Sequence, residues 1–188
     1  MSSTARCFWF VFLCGATLAP VGDHFHVARG VTRYHTDFGP IWFGNSPLWF
    51  VVLVASFLAV VAVLQGLAAR ARGPGSSARV FLSPLWVAAL YLTTSFYPWR
   101  DGGSLELLMS AAAVATWWAL DRSARGLAFG VAAAVFATAF EWLLVQLGVF
   151  EYLPGSDELF GVAPWLLPLY FAASAAIGGV ARRMMAPR

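Results

Sequence analysis

Glu141 places a carboxyl group near the middle of a long apolar run, in Ala137-Thr138-Ala139-Phe140-Glu141-Trp142. A charge at the centre of a bilayer is costly unless a partner or water reaches it, so this side chain is expected to face a bundle interior or a wet cavity. Two uses are open to it. It can receive the hydroxyl or headgroup of a lipid, or hold a proton. It can equally hydrogen-bond Thr138, Gln146 or another helix and do nothing more. Gln146 lies near one turn beyond Trp142 and extends a polar stripe. In the ligand reading, Phe140 and Trp142 supply ring contacts, and Glu141 or Gln146 a hydrogen bond.

A second group of reactive types is Asp23-His24-Phe25-His26, followed by Arg33-Tyr34-His35-Thr36-Asp37. Read as one linker, it gathers all three histidines. A His-x-His pair on a strand turns both rings one way and can bind a metal; on a helix the rings diverge. No His-Glu-x-x-His or comparable pattern accompanies it. The linker is therefore read first as a polar cover over the mouth of a bundle. A membrane-embedded enzyme that uses His24, His26 and His35 on a lipid is the alternative. No serine–histidine pair, phosphate loop or redox motif is visible, and no catalytic residue, metal or cofactor is expected. Cys7 and Cys14 lie seven apart in one run, about 10 Å along a helix, which is beyond disulfide reach. Both read as small apolar packing residues.

The elements that must position these groups are apolar. The chain has 60% hydrophobic, 16% aromatic and 11% charged residues, against roughly a quarter charged in soluble domains. Six runs are long enough to span a bilayer: about 6–21, 47–68, 80–98, 104–120, 125–148 and 162–181. The first and fourth are short. The first also has the look of a signal peptide, but no small-x-small cleavage context follows it. Fold class is thus all-α, a polytopic membrane protein with six transmembrane helices in a single domain, 1–188. All twelve basic residues are arginine, a usage that points to a GC-rich, bacterial genome. Nine (Arg6, Arg70, Arg72, Arg79, Arg122, Arg125, Arg182, Arg183 and Arg188) fall on one side, and Arg29, Arg33 and Arg100 on the other. The positive-inside rule then puts both termini in the cytosol. The net charge of +3 is explained by orientation, so nucleic acid is not an expected partner. Trp9, Trp42, Trp49, Trp99, Trp117, Trp118 and Trp165 fall at expected interfaces, while Trp86 and Trp142 lie deeper. Gly178-Gly179 signals close helix packing in the sixth span. No internal repeat supports an inverted-repeat transporter.

Trp117-Trp118-Ala119-Leu120-Asp121-Arg122-Ser123-Ala124-Arg125-Gly126 is a charged hairpin between the fourth and fifth spans. Here the chain resembles the Insig (insulin-induced gene) family of sterol-sensing membrane proteins. The likeness continues through Gly126-Leu127, Gly130, Phe136-Ala137-Thr138, Gly148-Val149-Phe150, Tyr152, Trp165-Leu166, Gly178 and Arg182. It covers roughly the last 90 residues, with a weaker match from Phe43 to Gln65. The histidine segment departs from the family.

The resemblance implies a six-helix, non-enzymatic protein with cytosolic termini that binds an oxysterol or similar lipid among its helices. In animals such proteins retain Scap and HMG-CoA reductase in the endoplasmic reticulum, partners not expected of a bacterium. Asp121 matches the aspartate the family needs for partner binding, and Trp117 a tryptophan near the sterol pocket. Ser104 and Leu108 fall where polar family residues meet ligand, and Leu108 has lost that polarity. Glu141 has no acidic counterpart in the family pattern, which points to a different headgroup. The expected function is a lipid sensor or regulator that holds a sterol, diacylglycerol or another membrane lipid. The expected lipid contacts are Ser104, Leu108, Trp117, Phe140, Glu141, Trp142 and Gln146. The expected partners are that lipid, a membrane protein at Asp121 and, through helix faces, further copies of the chain.

Overall fold

Small residues fill Ala172–Ala181, and the helix they build is the one all the other helices pack against. The computed structural model describes residues 1–35, 39–69, 76–97 and 103–185. Its helices are α1 (Ser3–Ala28), α2 (Leu48–Leu67), α3 (Ser77–Phe96), α4 (Ser104–Leu120), α5 (Ala124–Gln146) and α6 (Leu166–Met185). Of the positions used in the charge and interface readings, Arg70, Arg72, Trp99, Arg100 and Arg188 lie outside the described residues. Every residue of α6 from Ala172 to Arg182 is buried, as expected of a helix enclosed on all sides. Small side chains set the spacing. A Cβ on Gly178 would collide with the Gln65 carboxamide, and one on Gly15 would stand 2.9 Å from the Ala55 Cα. The α1–α2 pair held by Gly15 and Ala55 is the most extensive in the bundle.

Among the described residues three helices, α1, α2 and α5, are long and apolar enough to cross a membrane by length and composition. The 17-residue α4 reaches about 26 Å at 1.5 Å per residue, slightly under the hydrocarbon thickness. α6 needs less apolar character because its neighbours, not lipid, surround it. Ser2, Ser76 and Ser123 cap α1, α3 and α5 through hydrogen bonds to Ala5, Arg79 and Gly126 nitrogens. Each such cap contributes about 1 kcal/mol, and all three lie at the end of the bundle that holds the termini.

Short strands decorate the other end: β1 (Thr32–Tyr34), β2 (Ile41–Phe43), β3 (Ser46–Pro47) and β4 (Phe150–Tyr152). β2 and β3 form a hairpin, and β1 pairs antiparallel with β4 in the register Thr32↔Tyr152, Arg33↔Glu151, Tyr34↔Phe150. Strand alternation sorts this second pair into two faces. Arg33 Nη2 meets Glu151 Oε1 at 2.5 Å on the outer face, while Tyr34, Phe150 and Tyr152 turn toward the bundle core.

Two spans differ from the sequence reading. α1 runs on past residue 21 through Asp23, His24 and His26, because the bundle supplies partners for Asp23 and His26. α6 starts at Leu166, not 162. Val162, Ala163 and Trp165 are buried in the loop before it, so their apolarity reflects core packing ahead of the helix. Trp165, expected at an interface, is 1% exposed. Conversely, Trp86 and Trp142, expected in the interior, are half exposed on the bundle surface. Trp86 still donates through Nε1 to Thr116 Oγ1 at 2.9 Å. Cys7 and Cys14 are free thiols, and Cys7 is wholly buried in the core.

Candidate functional site

An apolar cleft opens between α1, α2, α3 and α6. Val11, Gly15 and Leu18 form one wall, Phe50, Val54 and Leu58 a second, and Val87, Tyr91, Ala173 and Ile177 the rest. The cavity measures about 100 Å³, and the atom-free space including its open mouth about 810 Å³. A second cavity, of about 120 Å³ and about 640 Å³ by the same two measures, lies between α2 and α5 and is a second arm in that it shares wall residues with the first. Phe50, Val54, Leu58 and Tyr170 border both arms. The second arm is lined by Phe57, Phe136 and Phe140, and among the described residues its one charged group is Glu141.

Glu141 is held by two phenols. Tyr170 of α6 donates to Oε1, and Tyr152 of β4 donates to Oε2. A second carboxyl, Asp23, lies nearby: Tyr34 donates to its Oδ1 at 2.8 Å, while its Oδ2 is buried without a well-formed hydrogen bond. The β1–β4 pair thus delivers one donor to each carboxyl, Tyr34 and Tyr152, from its inner face. Burial, and then the neighbouring carboxylates, push both phenols well above the usual tyrosine range. Both therefore stay protonated and act as donors. The chain has five tyrosines; Tyr34, Tyr91 and Tyr170 are within electrostatic reach of both acids, and Tyr152 of Glu141. That concentration of a scarce residue type around buried acids was the available sequence signal for Asp23, Tyr152 and Tyr170. It is scattered over four elements, so spacing did not reveal it.

The residues selected from sequence divide. Phe140 and Glu141 line the second arm. Trp142 is 43% exposed on the outer side of α5, and Gln146, at the end of that helix, is exposed. Ser104 accepts from the Tyr97 hydroxyl at 3.2 Å, and Leu108 faces outward from α4. Trp117 donates through Nε1 to the Ser123 carbonyl at 3.2 Å, bracing the α4–α5 turn. None of these five borders either arm.

The histidine linker is corrected. His24 and His26 belong to α1, where residues two apart point to different faces. His24 Nδ1 stands 3.3 Å from Asn45 Nδ2. His26 is buried, bonded to Thr94 Oγ1 at 2.8 Å and stacked on Trp165 with ring centroids 5.4 Å apart. His35 instead meets Glu151 at 3.3 Å outside the bundle. The three are held apart by separate partners, and among the described residues no group of three or more His, Cys, Asp or Glu side chains is placed to hold a metal. The three histidines named in the lipid-enzyme alternative are not brought together. Asp37, the other acid of that reading, lies outside the described residues.

At the opposite end, Asp121 follows α4 and turns inward. Its side chain is 0% exposed, and Arg182 Nη1 of α6 stands 2.9 Å from its Oδ2. Ser123 donates to Oδ1 through both its nitrogen, at 3.1 Å, and its hydroxyl, at 2.5 Å. Gly126 is required here, because a Cβ would collide with the Asp121 carboxylate.

A six-helix bundle of this kind, with an internal apolar cleft and a pinned turn, defines a class of integral membrane protein, and the comparisons specify it. No family model matches the chain. The INSIG protein homolog of Mycolicibacterium vanbaalenii is 46% identical over 164 residues, covering 86% of this chain and 78% of that protein. Insulin-induced gene 1 protein of Danio rerio is 25% identical, and insulin-induced gene 2 protein of Gallus gallus 27%, each over 93% of this chain and over 70% and 78% of their own lengths. The crystal structure of MvINS, a mycobacterial Insig homolog, superposes with a TM-score of 0.83 at 41% identity over 97% of each chain. A cross-linked MvINS trimer gives 0.85 at 40% identity, with the same coverage. The chain belongs to the Insig family.

Proposed function

We propose that this protein is a non-enzymatic lipid sensor that holds a sterol or another membrane lipid, such as diacylglycerol, in the two-armed cleft. The observation that carries this reading is the placement of Glu141, the one charged group lining the second arm among the described residues, beside Tyr170, which borders both arms. Apolar arms with a polar group at their junction suit an amphiphile whose head hydrogen-bonds there while its hydrocarbon fills the arms. Two arms accommodate a two-chained lipid most directly. Phe140 packs beside the head, and Tyr152 and Tyr170 hold the Glu141 carboxyl toward it.

The same reading places both termini and the Asp121 turn in the cytosol of a bacterial cell, with nine of the twelve arginines on that side. A membrane-protein partner would meet that turn. Self-association is included, supported by the cross-linked trimer of MvINS. Native mass spectrometry of the protein in mild detergent tests the lipid and the subunit count together. Co-purified lipid in the wild type, reduced in Glu141→Gln and Tyr170→Phe, is the expected result. An equal lipid load in all three would place the binding elsewhere.

A further inference from the structure

Asp121 cannot itself present a carboxylate to a partner, because its side chain is fully enclosed between Arg182, Ser123 and Gly126. What the turn offers outward is Trp118, 58% exposed. Arg122 lies over its ring at 4.8 Å. Arg122 Nε also donates to the Trp118 carbonyl at 2.6 Å, and Arg122 sits in the left-handed region at φ 59°. That conformation is costly for a residue with a Cβ and persists only where its surroundings impose it. The surroundings here are the Asp121 network on one side and the Trp118 stack on the other. Arg182 Nη2 also donates to the Leu120 carbonyl, at 3.4 Å, so α6 grips the end of α4 twice.

We propose that Arg182 is a positioning residue for the α4–α5 turn: with Asp121 it forms an interior ion pair that fixes the turn's outward face. The biological use of that face rests on the reading of the turn as a contact surface. The geometry itself does not, so the two can fail separately. An interior ion pair that loses one partner leaves an uncompensated buried charge that disfavours folding, whereas removal of both charges spares the fold but still removes the tether between α6 and the turn. Charge at position 182, and not bulk alone, should therefore set the order of the turn.

The test uses the full chain in detergent with Cys7→Ala, Cys14→Ala and a nitroxide at Ala124→Cys, an exposed position beside the turn. No partner is present. The label is expected to be ordered in this background, to gain a mobile spectral component in Arg182→Met and Asp121→Ala, and to stay ordered in Arg182→Lys. Arg182→Met with an unchanged spectrum, or Arg182→Lys as mobile as Arg182→Met, overturns the proposal. If the single variants fail to fold, Asp121→Leu/Arg182→Met removes both charges at once. A mobile label in that folded double variant supports the proposal, and an ordered one overturns it.

Discussion

At the scale of single residues, polar groups in this bundle are placed by partners and not by depth alone. His26 and Thr94 are both buried and meet each other across α1 and α3. Thr94→Val should therefore lower stability by about 1–3 kcal/mol, the usual cost of an orphaned buried group, measured by thermal unfolding in detergent. An unchanged midpoint would mean that water replaces the hydroxyl. The outer pair Arg33–Glu151 is different: its side chains are 64% and 32% exposed. Solvent screening limits such a pair to about 1 kcal/mol or less, so Glu151→Gln should barely shift the same transition. Its neighbour Tyr152 is the sensitive position, since Tyr152→Phe removes a donor from Glu141 and should weaken lipid retention more than Glu151→Gln does.

At the scale of elements, α6 is the organiser, and its small residues are the reason. Gly178→Leu would drive a side chain into Gln65, which now donates to the Ser174 carbonyl and hydroxyl at 2.9 and 3.0 Å. Loss of the folded peak by size exclusion, or a large drop in its thermal midpoint, is the expected outcome. Gly179→Ala should be tolerated, because the added Cβ would meet only Leu120, at 3.5 Å. These helices were legible from sequence because apolar runs and arginine-bearing turns alternate regularly, and Gly178-Gly179 announced close packing. The helical nature of Asp23-His24-Phe25-His26 was not legible. Polar types read as loop until the partners Tyr34 and Thr94, on other elements, are seen to satisfy them. The β1–β4 clip was equally hidden, because three-residue strands carry almost no periodic signal. Glu141 and Phe140 stood out from sequence alone. Their companions Phe50 and Tyr170 did not, since an aromatic on an apolar helix looks the same whether it faces a cleft or the core.

At the scale of the whole molecule, the two ends of the bundle have different tasks. The end with the termini is tied by Asp121–Arg182, Gln65–Ser174 and Trp86–Thr116 join helices beside the cleft, and the tyrosine-held acids lie toward the β1–β4 end. Phe57 of α2 stacks on Phe136 of α5 with centroids 6.0 Å apart, at the edge of the second arm, and in the proposed lipid-binding reading that seam is the entrance. Phe136→Ala should widen it and speed exchange of a fluorescent lipid without loss of the folded bundle. The central claim is that lipid sits inside the bundle and not merely around it. Its most direct measurement is photo-crosslinking with a diacylglycerol that carries a diazirine in one acyl chain, followed by peptide mapping. The account predicts labels on cleft residues such as Phe50, Val54 and Ala173, reduced when Glu141→Gln is introduced. Labels confined to outward residues such as Leu107, Val114 and Val135, unaffected by that change, would contradict it.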